Sequence, residues 1–314
     1  MEDHSVGQTK KWCSNSCRGK HKRKSFLLKN TGINEGGELM DLQKVDTMEL
    51  LEEVSQRGFM STRREVLVDR HYKFPRKLKP FKLGLVGDTH LGSTEQQLTL
   101  LHEAYREMAK MGIKTVLHAG DMTEGNGKQH KGQVYEMFLH GADAMVDYAT
   151  KVYPREPGIT THIIGGSHDY SFYKEDGNDI LAKIAEARKD IKYQGMFGTH
   201  LHFGNIDLYL MHGSGGVAYA RSYKMQKIIE QFSPADKPNV LVLGHYHVEC
   251  YLPSYRGVIG IQMPCFQSQT NYLKAKGLSP ELGFVVLEIT PDSKGISRHI
   301  PDFHPYFNPV KGDY

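Results

Sequence analysis

The sequence has no apolar run that approaches the length of a membrane span, so a transmembrane helix is not expected. Cysteine is scarce. Cys13, Cys17, Cys250 and Cys265 are scattered over 314 residues, which excludes a disulfide framework and fits a reducing cytoplasm. The N-terminus is polar and basic without an apolar core, so no secretory signal is expected. A dominant charge sign is lacking as well. The 40 Lys and Arg face 36 Asp and Glu, for a net charge of +4. What is present is a hydrophobic fraction of 39% and a charged fraction of 24%, the balance of a soluble globular protein. The length suits one large domain with a small appendage.

The small surplus is unevenly placed. Residues 1–30 carry eight Lys or Arg against Glu2 and Asp3, a local surplus of +6 that leaves −2 for the rest. Such an arm is either a solvated tail or a holder of polyanions. Residues 1–40 read as irregular. Residues 46–58 read as a helix, with Asp46 as cap, Glu49 at the capping-box position and Gly58 at its end. A short strand is expected at 65–69. A basic, proline-containing linker follows, with Lys73, Pro75, Arg76, Lys77, Lys79 and Pro80. The reading is thus an arm (1–40), a helix–strand extension with linker (41–80) and a main domain (81–314).

From Phe81 the pattern changes. Short apolar runs at 81–86, 114–118, 160–164, 208–211 and 240–243 are of the buried-strand type. Helical periodicity falls between them, at about 95–111, 133–151, 178–189 and 219–232, and further strands are expected at 258–263 and 284–289. Strands alternating with helices, then closing strands, imply a layered α/β domain.

The runs end in acids and histidines. They lead into Asp88-Thr89-His90, Gly120-Asp121, Gly166-Ser167-His168-Asp169, His212-Gly213 and Gly244-His245-Tyr246-His247. Side chains just past the carboxyl ends of strands share one edge of an open α/β sheet, where functional groups gather. On extended chain, residues two apart point to the same side, so each x-spaced pair would act together. Carboxylate and imidazole donors suit divalent first-row metals. A single His-x-His means little in a chain with 17 histidines. His118, His162, His200 and His202 therefore read as ordinary strand or surface residues. Five pieces in order, each at the end of an apolar run, are a different signal.

That order of motifs resembles the calcineurin-like metallophosphoesterase superfamily over roughly residues 81–290. The resemblance implies a four-layer α/β/β/α sandwich and a site for two divalent metal ions, with manganese foremost and iron or zinc as alternatives. It implies one metal on Asp88, His90 and His247, a bridging Asp121, and a second metal on His212 and His245. His168 would face the substrate as proton donor or charge stabiliser. Glu124 and Asp169 are candidates to hold the ligands from behind. The family's asparagine ligand is Ser167 here. A neutral hydroxyl is a poorer ligand, so the second metal is expected to be weak or held through water.

Asp-Thr-His-Leu-Gly-Ser with Gly-His-Tyr-His is most similar to the DNA-processing nuclease branch, and Met263–Tyr272 resembles phosphoesterases of phage and bacterial genomes. A DNA nuclease in a bacterial cytoplasm is the expectation. A small-nucleotide phosphodiesterase or phosphatase, or a nucleic-acid-binding subunit with a vestigial site, stays open. Near the N-terminus, Cys13, Cys17 and His21 resemble half of a treble-clef zinc knuckle, one ligand short of the usual four.

Overall fold

A computed structural model describes residues 70–74 and 79–314. The basic arm, the zinc-knuckle residues Cys13, Cys17 and His21, the 46–58 helix and the 65–69 strand lie outside the described residues. Among the described residues, twelve strands form two six-stranded sheets. The first has the order β12 (Gly295–Tyr306), β11 (Leu282–Asp292), β2 (Phe81–Val86), β3 (Thr115–His118), β4 (Thr160–Gly165), β5 (Ile191–Met196). The second runs β1 (Arg70–Phe74), β6 (Gly198–Phe203), β7 (Ile206–Met211), β8 (Val240–Leu243), β10 (Val258–Gln262), β9 (Cys250–Tyr255). No described helix is long and apolar enough to cross a membrane.

Three apolar layers follow from period-2 alternation along the strands. Leu83 and Leu85 of β2, Leu208 and Leu210 of β7, Val240 and Val242 of β8, and Leu287 and Ile289 of β11 fill the space between the sheets. Their neighbours point outward. Val86, Val116, Phe284 and Val286 pack under α1 (Leu98–Lys110), α2 (Ala142–Val152) and α4 (Ile180–Ala187). Leu241, Leu243 and Val258 pack under Met225 and Ile229 of α5 (Tyr223–Gln231). The result is the expected α/β/β/α sandwich. Gly84 lets α1 lie close, because a Cβ there would collide with the Met108 sulfur.

The strands the apolar runs pointed to are all present. The ones they missed include β1, β5, β9 and β12, which are the four sheet edges. An edge strand lacks a partner on one side and needs no continuous apolar run. Prolines fit there too, as Pro253 in β9 and Pro301 in β12 show. Lys73, read as the start of a linker, instead lies in β1. That strand pairs in parallel with β6, and Phe74 stacks on Phe203 at 4.4 Å. The helical pattern over 133–151 is broken. A 3-10 turn at Gln133–Glu136 is followed by extended chain at Met137, and α2 starts after Gly141, whose φ is +91°. Two short helices, α3 (Tyr170–Asp176) and α6 (Asn271–Ala275), lacked enough residues to show a period.

Leu287 is fully buried between the sheets. Leu287→Ala is expected to cost about 2–5 kcal/mol through the lost side chain and the cavity it leaves. Denaturant titration should show a lower midpoint with an unchanged slope.

Candidate metal centre

β2, β3, β4, β7 and β8 all finish at one edge, and their following loops are stitched together by backbone bonds. Asp88 N–H donates to Gly120 O at 2.9 Å, His90 N–H to Asp121 O at 3.1 Å, and Gly244 N–H to Met211 O at 3.1 Å. Seven described non-glycine residues have positive φ. Five of them are Asp88, His90, Asp121, His245 and His247. Such backbone costs about 1–3 kcal/mol per residue and persists where the surroundings over-determine it. The x-spaced pairs therefore do not converge by the expected route. Neither pair lies on extended chain, and it is the left-handed backbone that turns both members of each pair to the same side.

Three sets of donors result, each with its atoms within 4.8 Å of one another: Asp88, His90 and His247; His90, Asp121 and His168; Asp121, His212 and His245. The first and third share no member, and the middle set joins them through His90 and Asp121. All six residues read as ligands are thus brought together, and His168 with them. Ser167 stands at the rim with its hydroxyl donating to Asp121 Oδ2 at 3.3 Å. Gly166 lies against the Asp121 carboxylate, and a Cβ there would overlap it.

The ring orientations are set from behind. Glu124 Oε2 accepts from His90 Nδ1 at 2.9 Å, and Ala119 O accepts from His212 Nδ1 at 2.8 Å. Gly215 O accepts from His245 Nε2 at 2.8 Å. Carbonyls only accept, so these contacts place a proton on His212 Nδ1 and His245 Nε2 and leave the inward nitrogens to take a proton or a cation. Those atoms face each other at 3.2 Å, and His212 Nε2 faces Asp121 Oδ2 at 3.0 Å. His90 Nε2 likewise faces His247 Nε2 at 3.1 Å. Inward nitrogens set against one another and against a carboxylate need positive charge between them, as a proton or a cation. The donor set therefore fits divalent cations.

Charge accounting agrees. Asp88, Asp121, Glu124 and Asp169 are all buried. Among the described residues, the ion partners of the first three are histidines only. Burial pushes Asp121 up, but His212 and His168 outweigh it and hold the carboxyl well below its usual range. Burial pushes His212 down, yet Asp121 lifts it to about 9. Burial, then the neighbouring His212, depress His245 to about 4. For His168, burial is outweighed by Asp121 and Glu124, and the imidazole sits above its ordinary value. Its Nδ1 donates to Glu124 O at 2.9 Å.

Glu124 and Asp169 lie behind the candidate ligands. Glu124 also receives Gln133 Nε2 at 2.7 Å and Gln267 Nε2 at 2.8 Å. Asp169 accepts from the backbone of Met122, Thr123 and Gly166 at 3.0–3.1 Å, tying the β3 and β4 loops together. Burial and nearby Asp121 raise it to about 6. Sequence reading missed Gln133, Gln267 and His118 as supports. His118 Nδ1 accepts from Gly120 N–H at 3.2 Å and its Nε2 lies 3.2 Å from the Thr89 hydroxyl, so it braces two ligand loops. Burial drives it to about 3, which keeps it neutral. Glutamines carry no metal signature, and Gln267 is 143 positions from Glu124, so no local pattern marks them. His200 and His202 lie away from the site, beside Asp207.

Comparison with curated proteins returned no match. Among solved structures, the chain is similar to Vps29 of Chaetomium thermophilum, at 12% identity over 73% of this chain and all of that one, with a TM-score of 0.36. It is also similar to the sulfate thiohydrolase SoxB of Thermus thermophilus, at 10% identity over 74% of this chain and 58% of that one, with a TM-score of 0.37. The family model for calcineurin-like phosphoesterases matches residues 81–263, more than half of the sequence and the whole span that carries the ligand motifs, and the chain belongs to that family.

Proposed function

We propose that this phosphoesterase is a two-metal phosphodiester hydrolase that acts on nucleic acid, DNA foremost. The observation that carries the reading is the pair of separate donor sets joined through His90 and Asp121. Asp88, His90 and His247 would hold one cation, His212 and His245 the other, with Asp121 between them. Two such cations lower the pKa of water and neutralise charge developing on a phosphoryl group. Nitrogen and oxygen donors without thiolate suit manganese, with iron and zinc as alternatives.

The chain's own residues supply the rest. Glu124 and the carbonyls of Ala119 and Gly215 fix the imidazole tautomers. Asp169 and His118 hold the loops in register. His168, with Nδ1 committed to Glu124 O, presents its other edge to the cleft, where it would donate a proton to the leaving oxygen or stabilise charge. The donor geometry admits it as a ligand too, and one comparison separates the roles. Asp121→Ala is expected to abolish turnover and lower bound metal to one equivalent or less. His168→Ala should keep its metal and lose ~10²–10⁴-fold in turnover. Elemental analysis beside kinetics reads both. Two tightly bound ions in the first variant, or metal loss in the second, would refute the respective assignment.

The nucleic-acid part rests on charge. The +6 surplus of residues 1–30 is joined by Lys73, Arg76, Lys77, Lys79 and Lys82 just before the ligand motifs. Cations spaced along a chain release counterions from a polyanion, so affinity should fall steeply with salt. A small nucleotide gains little from such an arm. Deleting residues 1–40 is expected to weaken DNA binding and flatten its salt dependence, while hydrolysis of a small chromogenic phosphodiester persists. If neither form cuts DNA but both cleave the small ester, the substrate is a small nucleotide instead.

A further inference from the structure

The cleft beside the donor cluster measures about 620 Å³ and is lined by His90, Asp121 and His168 on one side. That is far more room than a phosphoryl group fills, and the remaining walls carry aromatic rings. One wall is fixed. The His130 ring stacks on Tyr272 with centroids 3.9 Å apart and planes 15° apart. Glu136 braces both: its Oε1 accepts the Tyr272 backbone N–H at 2.7 Å, and its Oε2 lies 3.6 Å from His130 Nε2. Tyr272 is still 38% exposed, and the Lys276 ammonium stands 5.8 Å from its ring centre.

The second wall is a glycine-rich loop. Gly213-Ser214-Gly215-Gly216 leaves His212 and leads to Tyr219. The loop is pinned at both sides of that tyrosine. Ser214 O accepts from the Tyr246 hydroxyl at 2.8 Å, Gly215 O from His245 Nε2 at 2.8 Å, and Arg221 pairs with Glu281 at 2.7 Å. Tyr219 itself is fully exposed (106%), although it lines the same cleft. A ring held out on an anchored loop contributes nothing to the core. Two aromatic positions and a lysine on the rim of a site built for phosphoryl chemistry match the way proteins hold nucleobases, by sequence-tolerant stacking with cations nearby.

We infer that Tyr219 and the His130–Tyr272 pair form a stacking site for the base attached to the phosphate at the donor cluster. The inference rests on the phosphodiester reading and narrows its substrate to nucleobase-bearing phosphates.

Binding, measured by calorimetry with Ca²⁺ as the metal, tests this without turnover. The paired probes are AMP against ribose 5-phosphate, and oligothymidylate against an abasic strand of equal length. The base-bearing member of a pair is expected to bind about ten-fold tighter, as one stacked base provides. Tyr219→Ala and Tyr272→Ala should each shrink that ratio, and Tyr219→Phe and Tyr272→Phe should keep it. A base preference in the strand pair assigns a polynucleotide, and one confined to AMP assigns a free nucleotide. Both outcomes support stacking. A ratio near one in the unaltered protein, or the same ratio in all variants, overturns it. A base preference that persists in a protein unable to cleave any diester with Mn²⁺ would sink the hydrolase reading and leave the stacking site standing.

Discussion

Four buried carboxylates, Asp88, Asp121, Glu124 and Asp169, meet several imidazoles at the ends of β2, β3, β4, β7 and β8, and no lysine or arginine among the described residues comes to neutralise them. Placing carboxylates away from water is costly unless each finds a partner of opposite charge. Histidine offers that only when protonated, and here Glu124 and backbone carbonyls commit the outer ring nitrogens and leave the inward ones to take a proton or a cation. The sandwich thus creates a deficit of positive charge at one edge. A cation there, or a proton on His212, which Asp121 lifts to about 9, would offset it.

The same constraint explains the backbone. Five donor residues occupy left-handed conformations that cost free energy. Loop-to-loop bonds hold them, through Gly120 O, Asp121 O and the carboxylate of Asp169. Those bonds exist because β2, β3 and β4 run parallel and in register below. The core between the sheets therefore sets the donor geometry at a distance. Stability is concentrated in the layers, and strain is concentrated at the edge where chemistry would occur.

Much of this was legible in the amino-acid order. Central strands announce themselves as apolar runs, and the residue after each run marks the sheet edge, so Asp88, Asp121, His168, His212 and His245 were placed from sequence. The route by which Asp88 meets His90 was not, because left-handed backbone leaves no mark on residues that are not glycine. Edge strands were missed because their burial is one-sided, as in β12, where histidines, prolines and charges alternate with few apolar residues. Supports such as Gln133 and Gln267 were invisible for another reason. Their role depends on contacts across the fold, and amides have no chemistry that singles them out.

The edge is expected to hold two ions that share Asp121. Titrating the metal-free protein with Mn²⁺ and recording electron paramagnetic resonance spectra tests it directly. Uptake of two equivalents and an exchange-coupled spectrum are expected, as two ions bridged by Asp121 require. A single equivalent, or two ions whose spectra show no coupling, would contradict it.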